Sequence, residues 1–344
     1  MVGMEYNQTG YKRVDATQLK MEAGLMLLKD CVNITNAINV DCLASDVEAL
    51  IDFKNGLQDP QNLLSSWRDS NCCEWHGIGC DNITGAVVSI DLQSCGLRNL
   101  NGELTTSLLK LKSLRHLDLS YNTFRGIPIP AFFGSLENLQ YLNLSNADFR
   151  GIIPPHIGNL SRLQFLDLSG YMLHVKNLQW VAGLVSLKHL NMNHVDLSLV
   201  GTDWLTALNQ LPSLVELHLL SCSLSGYILS LPFRNFTSLV VLDLAFNNIV
   251  SNIPDWFVNI TSLQHVDISY NGLYGKIPLG FGDLPNLQSL YLAANGNLIA
   301  SCSQLFKRRW EKIQKLDLSY NALQGKLPSS FGNLTSLTYL QLGY

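Results

Sequence analysis

The hydrophobic residues of this chain recur at a nearly constant spacing. From residue 87 onward they follow the frame LxxLxLxxNxL, and successive frames begin 24 to 27 residues apart. The frames begin at Val87, Leu114, Leu139, Leu163, Leu187, Leu214, Leu239, Leu263, Leu287, Ile313 and Leu337. Because LxL places two apolar side chains on one face of an extended segment, each frame predicts one short strand followed by a return segment.

A fixed period of about 20–29 residues with this frame is typical of a leucine-rich-repeat solenoid. We expect the strands to stack in parallel into one long concave sheet, within a right-handed superhelix of α/β type. A sheet of this kind presents a continuous binding surface. The pattern therefore predicts a binding protein, and it leaves the identity of the ligand open.

The residues before the first frame are expected to cap the solenoid, because the first repeat would otherwise expose the end of its leucine core. Residues 45–48 (SDVE) have the spacing of a helical capping box, and an apolar face at helical spacing follows up to Gly56. We assign residues 41–86 to this helical cap. Residues 87–344 hold ten repeats and the start of an eleventh, and residues 1–40 lack a normal signal peptide.

The eight cysteines fall into three contexts. The cap contains Cys42, Cys72, Cys73 and Cys80; Cys95 and Cys222 occupy the asparagine position of their repeats; Cys31 and Cys302 have no obvious mates. The four cap cysteines contain no CxxC pair, so disulfides are favoured over a zinc site. Together with eight Asn-x-Ser/Thr sequons, they indicate a secretory, oxidising environment.

Composition narrows the class of partner. Only 15% of residues are charged, the net charge is −4, and no basic stripe is present, which argues against nucleic-acid binding. The sequence also contains no apolar run of about 18 residues, so it predicts no transmembrane helix within these 344 residues.

The cap carries a specific motif. Residues 41–42 (DC) and 64–67 (LSSW) are followed by residues 72–80 (CCEWHGIGC), and several repeats continue as LSxNxLxGxIP, for example at 318–328. These segments resemble the N-terminal cap and the plant-type repeats of plant leucine-rich-repeat receptors. The resemblance implies two cap disulfides, Cys42–Cys72 and Cys73–Cys80.

Repeats three to five depart from the plant pattern, since Ala147, Tyr171 and Val195 replace the asparagine. The longer stretch at residues 197–211 is expected to form extra helical turns on the outer side. This order of repeats, with residues 127–136 (IPIPAFFGSL), is similar to the receptor-like proteins that include the fungal-xylanase receptors of tomato. The resemblance covers residues 41–344 and implies an N-terminal portion of an ectodomain.

We expect no catalytic, cofactor-binding or metal-binding residues, because no nucleophile elbow, phosphate loop, kinase loop or HExxH motif is present. Aspartates recur between the two leucines of LxL at positions 91, 118, 167, 243, 267 and 317, and exposed ladders of this kind are common in such repeats. Histidines at positions 116, 189, 194, 218 and 265 fall on the predicted concave side. A zinc site from His189, His194 and His218 is geometrically possible, but titration at apoplastic pH or plain exposed side chains are favoured.

Two classes of function fit these observations. One is the ectodomain of a cell-surface receptor-like protein, at the plasma membrane or in the apoplast, which binds a protein or peptide. The resemblance implies leucine-rich-repeat receptor kinases as co-receptors and a membrane anchor C-terminal to this chain. The other is a soluble extracellular inhibitor of a microbial wall-degrading enzyme, similar to polygalacturonase-inhibiting proteins. The sequence stops within the eleventh frame without a cysteine-bearing cap, which favours the receptor; the disulfide cap and sequons oppose a cytosolic immune receptor.

A binding patch is predicted on repeats six to nine, where apolar and aromatic residues interrupt an otherwise polar surface. The candidate residues are Leu220, Val241, Phe246, Tyr270 and Tyr291, with Ala245 and Ala293 replacing the usual polar residue after LxL. Clustered exposed apolar side chains are typical of protein-binding hot spots. Aromatic residues that merely shield the edge of the sheet are the alternative.

The candidate glycosylation sites of the cap and repeats are Asn82, Asn143, Asn159, Asn235, Asn259 and Asn333. The last four each lie four residues before a frame leucine, so glycans there would leave the concave face open. Asn143 lies within a predicted concave strand, and a glycan on it would obstruct repeats two to four.

Overall fold

The structure, a computed structural model, describes residues 40–94, 99–228 and 236–343. Cys31, Cys95 and Asn235 therefore lie outside the described residues. Within them, the predicted strands form one 12-stranded sheet whose strand order follows the sequence. The strands are Ile78–Cys80, Val87–Asp91, His116–Asp118, Tyr141–Asn143, Phe165–Asp167, His189–Asn191, Glu216–His218, Val241–Asp243, His265–Asp267, Ser289–Tyr291, Lys315–Asp317 and Tyr339–Gln341.

The first strand pairs antiparallel with the second, and every later pair is parallel and in register. Equivalent positions of successive repeats therefore lie side by side, as His189 lies beside Glu216. Both apolar residues of LxL are buried behind the sheet in the ten complete repeats, for example Leu166 and Leu168 at 0% exposure, and Leu340 and Leu342 of the last strand are half-buried. This is the leucine-rich-repeat solenoid with a concave parallel sheet that the period predicts.

Short elements return the chain from one strand to the next. The return strands are Asn101–Gly102, which pairs with Leu57–Gln58 of the cap, and Gly151–Ile152, Leu173–His174, Ser225–Gly226, Asn248–Ile249, Tyr274–Lys276, Asn297–Ser301 and Ala322–Gln324. The 3₁₀ helices are Cys72–Glu74, Thr106–Lys110, Ala131–Ser135, Pro155–Asn159, Gln179–Gly183, Ser198–Asp203, Phe236–Ser238, Asp255–Asn259, Leu279–Asp283 and Ser329–Asn333. The 3₁₀ helix Ser198–Asp203 and the return strand Asn297–Ser301 are each followed directly by a short α-helix.

Three α-helices are present among the described residues: Ala44–Gly56 in the cap, Trp204–Leu208 and Cys302–Leu305. The second follows the 3₁₀ helix Ser198–Asp203, so the stretch at 197–211 does form the extra helical turns that its length predicts. Trp204 is buried at 1% exposure and anchors those turns to the core. The third helix, in repeat nine, was not predicted.

The cap covers the first repeat with Ala49, Leu50 and Phe53, each at 0% exposure. Disulfides join Cys42 to Cys72 and Cys73 to Cys80, with Cα–Cα distances of 5.4 and 5.5 Å. These distances lie in the usual range for disulfides, and the pairing is the one that the family resemblance implies.

The predicted capping box is wrong. The helix begins at Ala44 after Leu43, no side chain caps it, and the Ser45 hydroxyl bonds the Asp46 carboxylate instead. The other oxygen of that carboxylate accepts a hydrogen bond from the backbone N–H of Val87, at 2.9 Å in a buried position. Asp46, at the start of the helix, thus binds the strand of the first repeat. The N–H of Val87 in that strand would otherwise be buried without a hydrogen-bond partner.

The asparagine of the frame bonds backbone groups of two repeats. Asn247 donates from Nδ2 to the carbonyls of Leu219 and Leu244, at 2.8 and 2.9 Å. Its Oδ1 accepts from the N–H groups of Cys222 and Leu224, at 3.0 and 2.9 Å. Because stacking buries these groups away from water, the side chain satisfies polar atoms that no strand ladder reaches.

Cys222, which stands at the asparagine position of repeat six, has a similar role. It is free and buried, and its Sγ donates to the carbonyl of Met192 at 3.1 Å. Burial raises the pKa of the thiol to about 12, so it remains protonated and able to donate. This agrees with the expectation that a buried thiol replaces the amide.

In the column of carboxylates between the LxL leucines, Asp91 is exposed as expected, whereas the other five are buried or half-buried and hold the turns that follow the strands. Asp267 accepts from the N–H of Ser269 at 3.0 Å and from its hydroxyl, holding the turn that leaves the strand. Asn143 makes the same contacts with Ser145 in repeat three. Burial, followed by the neighbouring Asp243 carboxylate, raises the pKa of Asp267 to about 7.

Replacing Asn247 with alanine is expected to lower the free energy of unfolding by about 2–3 kcal/mol, because three buried backbone groups lose their partner and the Leu244 carbonyl keeps only its bond from Asn271. Hydrogen exchange should locate the effect at the amides of Cys222 and Leu224. The matched control is Asn248→Ala, which removes an exposed side chain and should change stability by less than about 0.5 kcal/mol. Unchanged protection of both amides in Asn247→Ala would contradict this role.

Asp267→Asn is expected to stabilise the protein at pH 8 and to have little effect near pH 4. The pKa of Asp267 is about 7 in the folded protein and about 3.9 in the unfolded chain. Ionisation of Asp267 therefore destabilises the folded state increasingly as the pH rises between these two values. Asparagine keeps the contacts to the turn, as Asn143 does. Thermal unfolding at both pH values measures the effect, and the exposed Asp69→Asn serves as control. A stabilisation that is equal at pH 4 and pH 8 would exclude this cause.

Candidate ligand-binding face

Each repeat presents two side chains on the concave sheet, from the residue before the second leucine and from the residue within LxL. A third side chain lies on the turn beyond the strand, at the residue before the asparagine position. That residue has a left-handed backbone in several repeats, including Tyr121, Phe246, Tyr270 and Tyr320. Its N–H donates to the next repeat, for example Phe246 to the carbonyl of Ser269 at 3.1 Å, which holds a conformation that bulky residues otherwise avoid.

Four rings stack along the first of these columns across repeats two to five. We call His116, Tyr141, Phe165 and His189 the aromatic ladder. Successive ring centroids are 4.1, 4.2 and 4.2 Å apart, with interplanar angles of 12°, 9° and 7°. The strand register produces the stack, because parallel strands lie about 4.8 Å apart.

The sequence analysis did not predict the aromatic ladder, although the four residues occupy the same position in successive repeat frames. All four side chains are half-buried, since each ring covers the faces of its neighbours and leaves an edge open. Burial lowers the pKa of His116, so this histidine is neutral over a wider pH range than a free imidazole.

The aromatic ladder ends at a charged cluster on repeats five and six. His189 Nδ1 lies 2.7 Å from Glu216 Oε2, and His218 Nε2 lies 3.6 Å from the same oxygen. The hydrogen bonds with His189 and then His218 hold the pKa of Glu216 well below its usual range, so the carboxylate is ionised.

His194 does not join this cluster, so the histidine trio considered for zinc does not form. It lies on the turn beyond the strand with a φ of 66°. Its ring stacks on Tyr171 with a centroid distance of 4.3 Å, and the Tyr171 hydroxyl lies 3.4 Å from Nε2. Glu216 occupies the place that the sequence analysis gave to His194.

The patch predicted on repeats six to nine divides between strand and turn. Val241 and Tyr291 lie half-buried in strands, and Leu220 lies half-buried after one. Phe246 and Tyr270 lie on adjacent turns at 53% and 48% exposure, and their rings stack at 4.1 Å and 8°.

Ala245 and Ala293 contribute no exposed surface, contrary to expectation, because they are buried at 1% and 5% exposure. The N–H of Ala245 donates to Asp243 Oδ1 at 3.0 Å, within the turn that leaves the strand. The aromatic surface of the patch is therefore made by the turn pair Phe246 and Tyr270, with Tyr291 on the sheet.

The concave sequon is the one least suited to a glycan. Asn143 is 8% exposed, its Nδ2 donates to Asp118 at 2.9 Å, and its Oδ1 accepts from Ser145. Asn159, Asn259 and Asn333 instead end 3₁₀ helices of the return segments and are exposed.

None of the helices in the described ranges is both long and apolar enough to cross a membrane. Residues 43–81 match the family described as leucine rich repeat N-terminal domain, and residues 112–173, 237–296 and 285–344 match the family described as leucine rich repeat.

Two tomato (Solanum lycopersicum) proteins are among the most similar relatives. Receptor-like protein EIX1 is 38% identical over 228 residues, which is 61% of this chain and 22% of that protein. Receptor-like protein EIX2 is 37% identical over 250 residues, which is 69% of this chain and 24% of that protein. The chain thus spans about a quarter of the length of these relatives.

Among solved structures, the Arabidopsis receptor kinase HAESA, in complex with the peptide hormone IDA and the co-receptor SERK1, superposes with a TM-score of 0.72. Its sequence is 28% identical, and the match covers 87% of this chain and 53% of that one. The chain belongs to the leucine-rich-repeat proteins with a plant-type N-terminal cap, and it resembles the plant receptor-like proteins over most of its length.

Proposed function

We propose that this chain is a ligand-binding part of the ectodomain of a plant cell-surface receptor-like protein, and that it binds a protein or peptide on the concave face. The observation that carries this proposal is the combination of the aromatic ladder and the patch around Phe246 and Tyr270. Together they place aromatic surface along repeats two to eight of a sheet that is otherwise mostly polar. We propose no enzymatic activity.

The concave surface is long, narrow and shallow, so it suits an extended peptide. An extended segment lying across the strands would cover the open ring edges of the aromatic ladder, and one large side chain could pack against Phe246 and Tyr270. Each aromatic residue that becomes buried in a well-packed contact contributes strongly to affinity, while the polar side chains around it fix orientation.

The charge of the column beneath the aromatic ladder favours basic groups in the ligand. Asp118 lies under Tyr141, whose hydroxyl is 3.2 Å from it, and Asp167 occupies the equivalent position two repeats on. Burial raises the pKa of Asp167, and a cation brought close would stabilise the ionised form of this carboxyl group. We therefore expect arginine or lysine near the aromatic side chains of the ligand.

We propose further that signalling passes through partner receptor kinases at the plasma membrane. HAESA, the structural neighbour described above, is itself a receptor kinase that was solved with a peptide hormone and a co-receptor. The cap disulfides and exposed sequons support an extracellular location.

Peptides selected from a random displayed library against the full chain are expected to bind the concave face. Tyr141→Ala with Phe165→Ala, and Phe246→Ala with Tyr270→Ala, should each weaken the binding of selected peptides by at least about 10-fold, because each pair removes a stacked contact surface. Surface plasmon resonance measures the affinities.

The matched control is Tyr227→Ala with Tyr274→Ala, which removes two exposed tyrosines from the return segments outside the concave sheet. If selected peptides bind equally well to both concave double variants, or lose affinity only in this control, the concave-face proposal fails. Basic residues enriched beside aromatic ones in the selected sequences would agree with the carboxylate column.

Expression through a plant secretory pathway is expected to yield glycans on Asn82, Asn159, Asn259 and Asn333, and none on Asn143. The four are exposed, whereas a sugar on Asn143 would break its bond to Asp118 and could not fit in a buried site. Glycopeptide mass spectrometry of the folded protein checks each site. Full occupancy of Asn143 would show that this part of the sheet is covered and would move the ligand site elsewhere.

A further inference from the structure

The cluster at the end of the aromatic ladder brings together three side chains that commonly bind metals. His189 and Glu216 are direct neighbours on adjacent strands, and His218 lies two residues after Glu216 on the same face of its strand. Their three ligand atoms all lie within 4.8 Å of one another. The strand register fixes this arrangement, since all three belong to rigid positions of the parallel sheet.

The geometry is close to what a small ion requires. Ligand atoms bound at about 2.0–2.2 Å in a tetrahedral site are about 3.3–3.6 Å apart. His218 Nε2 already lies 3.6 Å from Glu216 Oε2, whereas His189 Nδ1 lies 2.7 Å from it and would have to move away by about 0.6–0.9 Å through side-chain rotation to admit an ion. Two histidines and one carboxylate are also a ligand set found in zinc sites that keep one position open.

The surroundings hold the ligands in place and favour a cation. Stacking on Phe165, at 4.2 Å and 7°, fixes the plane of the His189 ring. Asp243 is the strand neighbour of His218, and Asp167 lies two residues after Phe165, the strand neighbour of His189, so two further carboxyl groups lie beside the cluster. On the side of repeat seven, the neighbour of Glu216 is the apolar Val241, so the strand beside it offers no competing charge at that position.

We propose that His189, Glu216 and His218 bind one divalent transition-metal ion, with Zn²⁺ as the best match, on the concave face between repeats five and six. Imidazole nitrogen selects zinc, copper or nickel over calcium and magnesium, which prefer oxygen ligands. With three protein ligands, the ion keeps at least one position directed away from the sheet. A carboxylate or imidazole of a bound ligand could occupy that position.

The other group of potential metal ligands in the described ranges is the four cap cysteines, and these form two disulfides. The remaining concave histidines provide matched controls. His265 is half-buried at the same strand position as His189, but its Nδ1 faces the Ser289 hydroxyl at 3.2 Å.

Calorimetric titration of the full chain, without a polyhistidine tag, with Zn²⁺ at pH 7.5 tests the proposal. We expect one ion per chain. His189→Gln, His218→Gln and Glu216→Gln should each lower the affinity by at least about 10-fold, and the double histidine variant should abolish the site. His265→Gln should bind like the unchanged chain.

A second measurement needs no variant. In the unchanged chain, Zn²⁺ should protect His189 and His218, and not His265, from modification by diethyl pyrocarbonate, as mapped by mass spectrometry. The proposal is overturned if the chain binds no zinc, if the double histidine variant binds it as well as the unchanged chain, or if zinc protects none of these histidines. Because both experiments use the ion alone, their failure would leave the peptide-binding proposal untouched.

Discussion

Everything in this molecule depends on satisfying the backbone groups that stacking buries between one repeat and the next. The frame asparagine does so in the regular repeats, where Asn247, Asn271 and Asn295 each bond a carbonyl of the preceding repeat. An amide is suited to this position because it donates and accepts at the same time. Any shift of register would leave several of these groups buried without partners, which costs more than the stacking of apolar side chains could restore.

Fixed register turns a repeating sequence into columns of side chains, and the columns create the candidate sites. Tyr141 meets Phe165 only because the two strands pair in register, and Glu216 meets His189 for the same reason. The buried leucines fix these strands from the core side of the sheet. The backbone at each concave position is therefore rigid even where the concave side chain makes no stabilising contact. A surface of this kind can change its chemistry from repeat to repeat while the core stays the same.

Much of the fold could be read from the sequence, because period, frame and cap motif each depend on local spacing. The strands, the extra helical turns after repeat five, and the role of Cys222 all followed from position in the frame. The start of the cap helix did not, because Asp46 is recruited by Val87, a residue 41 positions away. The buried state of Ala245 and Asn143 likewise depends on how the turn closes over the strand.

The candidate sites were harder to predict because they are made by neighbours across strands. Phe246 and Tyr270 were recognised from their chemistry, yet their stacking depends on a left-handed turn that the frame alone does not reveal. Glu216 gave no signal on its own, since one glutamate on a polar sheet is ordinary. Aligning the residue before the second leucine of every repeat would have revealed both the aromatic ladder and the glutamate beside it.

The irregular repeats keep some of the hydrogen bonds that the asparagine makes in the regular ones. Where Asn is replaced by Ala147 or Cys222, the backbone carbonyl of that residue accepts the hydrogen bond that Asn Oδ1 accepts elsewhere, from Phe124 at 3.0 Å and from Leu197 at 2.8 Å. A backbone carbonyl thus replaces the Oδ1 acceptor of asparagine, but alanine provides no donor in place of its Nδ2 group.

Repeats three to five, which lack the asparagine, are also repeats that carry rings of the aromatic ladder, and each stacked pair contributes about 0.5–1.5 kcal/mol beyond burial. The rings stack on the concave side of the strands in repeats three to five. The turns that follow these strands lack the asparagine side-chain amide. Part of the register that hydrogen bonds enforce in the regular repeats therefore rests, in this region, on the same rings that we propose a ligand contacts.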